Sequence, residues 1–189
     1  MLYFWKNDNR SMKKLKTLAI AFILANSFWS CEKDDICPDG TPTTPSVIVE
    51  FYDVNDPTVL KNVTNLKVIA LGMTEGIVFN STAQGENRYL TNGNKIKLPL
   101  RTTADNTTYR LILNANSTNP SLVNEDTLSF SYARTDIYVS RACGYKTVFQ
   151  LNADNPVLAT NDPNPWIGSK ITQQSNIQNE NQTHLKIYF

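Results

Sequence analysis

Along much of this chain apolar and polar residues alternate one for one. Val47, Val49 and Phe51 are interleaved with Ile48, Glu50 and Tyr52, and Leu66, Val68 and Ala70 with Lys67 and Ile69. The same period recurs at Tyr109-Leu111-Leu113, Leu128-Phe130-Tyr132, Thr147-Phe149-Leu151 and Leu185-Ile187-Phe189. Successive side chains of a strand point to opposite faces, so a period of two rich in β-branched and aromatic residues predicts half-buried strands. Asn92-Gly93, between Arg88-Tyr89-Leu90 and Ile96-Lys97-Leu98, predicts a hairpin because both turn residues tolerate positive φ. Asn55-Asp56-Pro57, Asn119-Pro120, Asn155-Pro156 and Asp162-Pro163-Asn164-Pro165 mark turns or loops. No convincing helical stripe and no internal repeat follows residue 30. Strands with one apolar face must pack as two sheets or close a barrel. The prediction is an all-β fold, an immunoglobulin-like antiparallel β-sandwich of about seven to nine strands over residues 46–189.

The first thirty residues break this pattern. A basic cluster, Met12-Lys13-Lys14-Leu15-Lys16, precedes the apolar run Leu18 to Ala25, and small or aromatic residues end at Ser30. That is the order of a bacterial secretory signal. The run is less than half of the ~20 apolar residues a spanning helix needs. The basic cluster directly after Met12 also predicts that translation starts there, residues 1–11 being an upstream extension. Cys31 at the cleavage point resembles a lipobox cysteine, although Phe28 and Trp29 stand where that pattern has Leu and a small residue. Two or more acyl chains hold a protein stably on a membrane. Glu32, Lys33, Asp34 and Asp35 resemble the acidic export signal that sends Bacteroidota lipoproteins to the outer face of the outer membrane; a charged, extended tether accounts for the same residues. From Pro38 to Pro45 the chain is a Pro/Thr spacer. The expected organisation is therefore signal peptide 1–30, lipidated tether 31–45 and sandwich 46–189.

Removing residues 1–30 reverses the sign of the charge. The 18 basic side chains lose five (Lys6, Arg10, Lys13, Lys14, Lys16) and the 17 acidic ones lose Asp8, which turns a formal +1 into −3. Such a surface offers no electrostatic footprint for nucleic acid. With 41% hydrophobic and 19% charged residues the composition is that of a globular domain, not a disordered chain. Lipidation of Cys31 leaves Cys37 and Cys143, for which export to an oxidising compartment favours a disulfide. A metal or redox site is the alternative, but it wants more ligands at short spacing, and neither CxxC nor a histidine cluster occurs.

Several blocks together, EKDDIC, EFYDVNDPTVLKNVTNL, GMTEGIVFN, RYLTNGNKI and above all IYVSRACGYKT, resemble the Bacteroidota lipoprotein family called domain-of-unknown-function family 6452. The resemblance runs from Cys31 to the C-terminus. It implies an exported lipoprotein in which Cys37 and Cys143 recur together, and it carries no activity to transfer.

Candidate chemistry is sparse. His184 is the sole histidine; alternation with Leu185 and Ile187 predicts that it faces solvent, and no nucleophile-elbow motif accompanies it. Phosphate-cradling glycine motifs are absent. Asp53, Asn55 and Asp56 offer oxygen ligands without a complete calcium loop, and an Asx turn ahead of Pro57 uses the same residues. Asn-x-Ser/Thr patterns at Asn62, Asn80, Asn106, Asn116 and Asn181 are incidental in a bacterial chain of this composition. Asp126-Thr127-Leu128 resembles a Bacteroidota O-glycosylation motif, with Thr127 as acceptor; a strand-start threonine is the plain alternative. Trp166, in Asn164-Pro165-Trp166-Ile167-Gly168, is either a loop-borne binding platform or a cap folded back on the sandwich.

These readings lead to the expectation of a non-catalytic outer-membrane or cell-surface lipoprotein whose sandwich is an interaction module, with no cofactor and no metal. An accessory subunit of an outer-membrane β-barrel is a second expectation. A surface hydrolase acting on glycans or peptides is a third, and would show clustered acids in a polar cleft.

Overall fold

A computed structural model describes residues 36–159 and 163–189. Among them the chain forms eleven strands: β1 (Val47–Tyr52), β2 (Leu66–Ala70), β3 (Leu90–Thr91), β4 (Lys95–Leu98), β5 (Asn106–Leu113), β6 (Asn124–Ser140), β7 (Gly144–Leu151), β8 (Val157–Ala159), β9 (Ser169–Thr172), β10 (Asn176–Ile177) and β11 (Leu185–Tyr188). One sheet has the order β4-β1-β11-β9; the other runs β10-β7-β6-β5-β2-β3, with β8 also paired to β6. The fold is an all-β sandwich, as the alternation predicts. It has more strands than expected because β3, β8 and β10 are only two or three residues long. The pairing is antiparallel except between β1 and β11, where Val49 lies opposite Leu185 and Phe51 opposite Ile187 in parallel register.

Each predicted alternation becomes a strand, because its apolar face closes the space between the sheets. Val49 and Phe51 from β1, Leu66 and Val68 from β2, Leu111 from β5, Leu128, Phe130 and Tyr132 from β6, and Leu185 and Ile187 from β11 are almost wholly excluded from water and share one core. Burying such a side chain contributes about 1.5–3 kcal/mol relative to leaving it exposed. The polar hydroxyl brought in by Tyr132 is satisfied, lying 2.7 Å from Thr107 Oγ1 and donating to the Arg101 carbonyl.

Two local expectations are corrected. Asn92-Gly93 does not close a hairpin: β3 before it pairs with β2, whereas β4 after it pairs with β1 in the other sheet. Neither residue takes a positive φ; among the described non-glycine residues that role falls to Asn65, Asn114 and Asn155. Asn92 instead supports one of these, its Oδ1 accepting the Asn65 N–H. Arg88 and Tyr89 belong to a 3-10 turn, Gly85–Tyr89, rather than a strand. The spacer is also more tightly held than its composition predicts. Pro45 is buried, Thr44 Oγ1 accepts the Thr147 N–H, and the Ser46 N–H is donated to Glu180.

A second, small unit comprises, among the described residues, 36–39 and Ser140–Cys143. Among its described residues Cys37 and Cys143 form a disulfide with the Cα atoms 4.8 Å apart, and the Cys143 N–H is donated to Ser140 Oγ.

Candidate functional site

Cys31 and the export-signal residues Glu32, Lys33, Asp34 and Asp35 lie outside the described residues. The expected disulfide between Cys37 and Cys143 is present. It joins the segment ahead of β1 to the turn between β6 and β7, across a separation of 106 residues.

Trp166 folds back on the body of the protein. Its indole N–H is donated to the Leu111 carbonyl, and its ring packs edge-on against Phe189, with centroids 5.4 Å apart, and beside Phe51. A ring so buried has no face to offer a ligand. Next to it, the Ile167 N–H is donated to Asp126 Oδ2 at 2.7 Å, so this buried carboxylate holds the loop that carries the tryptophan. The acid of the Asp126-Thr127-Leu128 motif is therefore inside the protein, and Thr127 lies mid-sheet opposite Arg110.

His184 is buried, contrary to the expectation of a solvent-facing ring. It immediately precedes β11, so strand parity does not govern it, and β1 is covered on both faces from Val47 to Val49. Its Nδ1 accepts the Ile48 N–H at 2.9 Å. Burial lowers its pKa below the ordinary value, partly countered by Glu180. The ring acts as a neutral acceptor inside the fold.

The oxygen-rich loop after β1 is consumed by its own backbone. Asp53 Oδ1 accepts the Asn55 N–H, and Asp56 Oδ1 accepts both the N–H and the hydroxyl of Thr58. Among the described residues no group of three or more His, Cys, Asp or Glu side chains could hold a metal.

Two clefts among the described residues are large enough for a small ligand. One of about 540 Å³ is lined by Gln150, Asn152, Thr172 and Ser175 with Ala133, Leu151, Ala153 and Pro156, none of them ionisable. Another of about 330 Å³, lined by the spacer residues Gly40–Thr43 and Pro45 and by Gln178–Asn181, holds one carboxylate, Glu180. Burial opposes ionisation of Glu180, but its bonds from Lys97 and the Ser46 N–H outweigh it and pull the carboxyl below its usual range. A carboxylate held ionised in this way is a poor proton donor.

The sheet edges differ more informatively. β4 carries Lys95 and Lys97, paired with Glu50 and Glu180, the kind of charged edge that discourages strand addition. β3 and β10 are too short to template a partner. β9 has four residues, pairs among the described residues with β11 alone, and leaves Ile171 half exposed. The other prominent exposed surface is the outer part of β6 and β7. Residues 133–138 are all exposed, and Tyr138 and Tyr145 stack edge-to-face at 5.4 Å with 57% and 69% of their surface in water. Sequence reasoning passed over this arm because no motif marks it; the available signal was the loss of an apolar face after Tyr132 in a run that remains rich in strand formers.

A protein-family model, described as Family of unknown function (DUF6452), matches residues 65–189. No curated protein and no solved structure matches the chain.

Proposed function

The chain belongs to DUF6452, and from that premise we propose that it is a non-catalytic lipoprotein of the Bacteroidota type, anchored in the outer membrane through Cys31 and facing the cell exterior. Its β-sandwich is an interaction module. The observation that carries this reading is the Cys37–Cys143 disulfide, since such bonds persist in oxidising compartments outside the cytosol. It accounts for two of the three cysteines and leaves Cys31, at the end of the secretory signal, for the lipid. The acidic residues 32–35 are the export signal in this account, and residues 36–45 carry the chain from the anchor to β1.

The module binds by strand addition at β9, where main-chain groups of an extended partner segment continue the sheet and Ile171 supplies a side-chain contact. The lack of an ionisable group in the larger cleft, and the single engaged carboxylate in the smaller, weigh against the hydrolase reading. A second reading, an accessory subunit of an outer-membrane β-barrel, is favoured by the same edge and differs in having one obligate partner.

In-cell crosslinking, gentle detergent extraction and pull-down through a C-terminal tag test the proposal. A co-purifying envelope protein or extracellular polypeptide that is lost with Ile171→Lys is expected; a barrel protein in fixed ratio would select the accessory-subunit reading. Recovery of the lipoprotein alone, from both chains, would contradict binding at this edge.

A further inference from the structure

Resting on the lipid-anchor reading, we infer that the outer part of the β6–β7 hairpin is a membrane-interface contact, with Tyr138 and Tyr145 seated in the headgroup layer of the bilayer that holds the Cys31 acyl chains. Three observations lead there. First, covalent connectivity brings the membrane to the hairpin: six residues lead from Cys31 to Cys37, a reach of roughly 20 Å at full extension, and the disulfide passes that constraint to Cys143, two residues from Tyr145. Second, the exposed groups are of the type that partitions to the interface. Tyr138 and Tyr145 form an exposed aromatic pair with Ile137 also in water, and tyrosine joins an apolar ring to a hydroxyl that stays hydrated. Third, the charge near the turn is complementary to lipid phosphates. Lys146 adjoins Tyr145 and is half-buried, and Asp136, the acid on the outer part of these strands, accepts the Thr147 hydroxyl at 2.7 Å.

The hairpin is a suitable lever for this role. Cross-strand contacts at Tyr138–Tyr145 and Asp136–Thr147 keep its strands paired, and at its base Arg134 is bound to Asp105 and donates to the Thr102 carbonyl. A lipoprotein held by acyl chains alone would turn freely about its tether. A second contact at the hairpin restricts that rotation and so selects which edge of the sandwich is presented to partners.

The test uses the full lipidated protein carrying Tyr145→Trp, reconstituted in phosphatidylethanolamine/phosphatidylglycerol vesicles with or without brominated acyl chains. Emission is read as a difference from the parent chain, whose Trp166 is buried. Flotation with the vesicles, a blue-shifted difference spectrum and quenching by the brominated lipid are expected, with reversal when the disulfide is reduced. Tyr138→Trp is expected to behave alike and guards against a local defect in one variant. Flotation with a red-shifted, unquenched spectrum from both variants would overturn the inference while leaving the anchor in place. Failure to float would overturn the anchor reading and this inference with it, and quenching that survives reduction would contradict the part assigned to Cys37–Cys143.

Discussion

The Nδ1 atom of His184 accepts the backbone N–H of Ile48 across 2.9 Å, joining residues 136 positions apart. This bond fastens the segment entering β11 to β1, alongside the parallel pairing of those strands. It requires an unprotonated Nδ1, and burial, opposed in part by Glu180, holds the ring's pKa below its ordinary value. The unfolded chain therefore takes up a proton that the folded protein resists. The resulting stabilisation is complete above the unfolded pKa of about 6.5 and is lost as pH falls from there through the folded value. The depressed carboxyls Glu50, Asp53 and Glu180 act in the same direction, but below their ordinary pKa values near 4. Thermal melts should thus show a midpoint that falls as pH drops from about 6.5 toward the carboxylate range, and His184→Asn should flatten that interval. A parent chain with no slope there would contradict the neutral-acceptor role.

Trp166 belongs to the core in energetic terms. Its ring fills the space between Phe51 and Phe189 and its N–H satisfies the Leu111 carbonyl. Trp166→Ala should destabilise by about 3–5 kcal/mol in urea titrations, and Trp166→Phe by less. An unchanged midpoint in Trp166→Ala would return this residue to the list of surface binding platforms.

The disulfide acts on the unfolded chain. Closing a ring of about a hundred residues restricts the denatured ensemble, and removing such a bond typically costs about 2–5 kcal/mol. The core contains no cysteine, so the sandwich should still fold after reduction. Cys37→Ser with Cys143→Ser is therefore expected to keep a cooperative urea transition at a clearly lower midpoint. Equal midpoints for the oxidised protein and the double variant would contradict this.

Alternation made the sandwich legible because period two reports which face of a strand is buried, and that is fixed locally. What it does not report is which sheet a strand joins. Leu90 and Ile96 flank Asn92-Gly93 as a hairpin would require, yet one pairs toward Lys67 and the other toward Val49. Ile96 enters the core while Leu90 is only partly buried, yet the spacing of apolar residues around Asn92-Gly93 is the same for a hairpin and a crossover. The error at His184 has a related origin. Parity extrapolated from Leu185 and Ile187 fails one residue before the strand begins, where Ile48 offers an N–H that a buried acceptor must meet. For Trp166 the sequence located the loop, but the partners that hold it inward are distant: Asp126 accepts the Ile167 N–H across forty-one positions, and the Leu111 carbonyl accepts the indole N–H.

Cys31 as the membrane anchor is the central element of the proposed function. Its most direct test is fractionation of cells expressing the chain or Cys31→Ala, with intact-mass analysis of the mature protein. The parent should be recovered in the membrane fraction as a polypeptide beginning at Cys31 with the added mass of its acyl chains, and Cys31→Ala in the soluble fraction. A parent that is soluble or lacks acyl mass, or a Cys31→Ala variant that stays with the membrane, would contradict it.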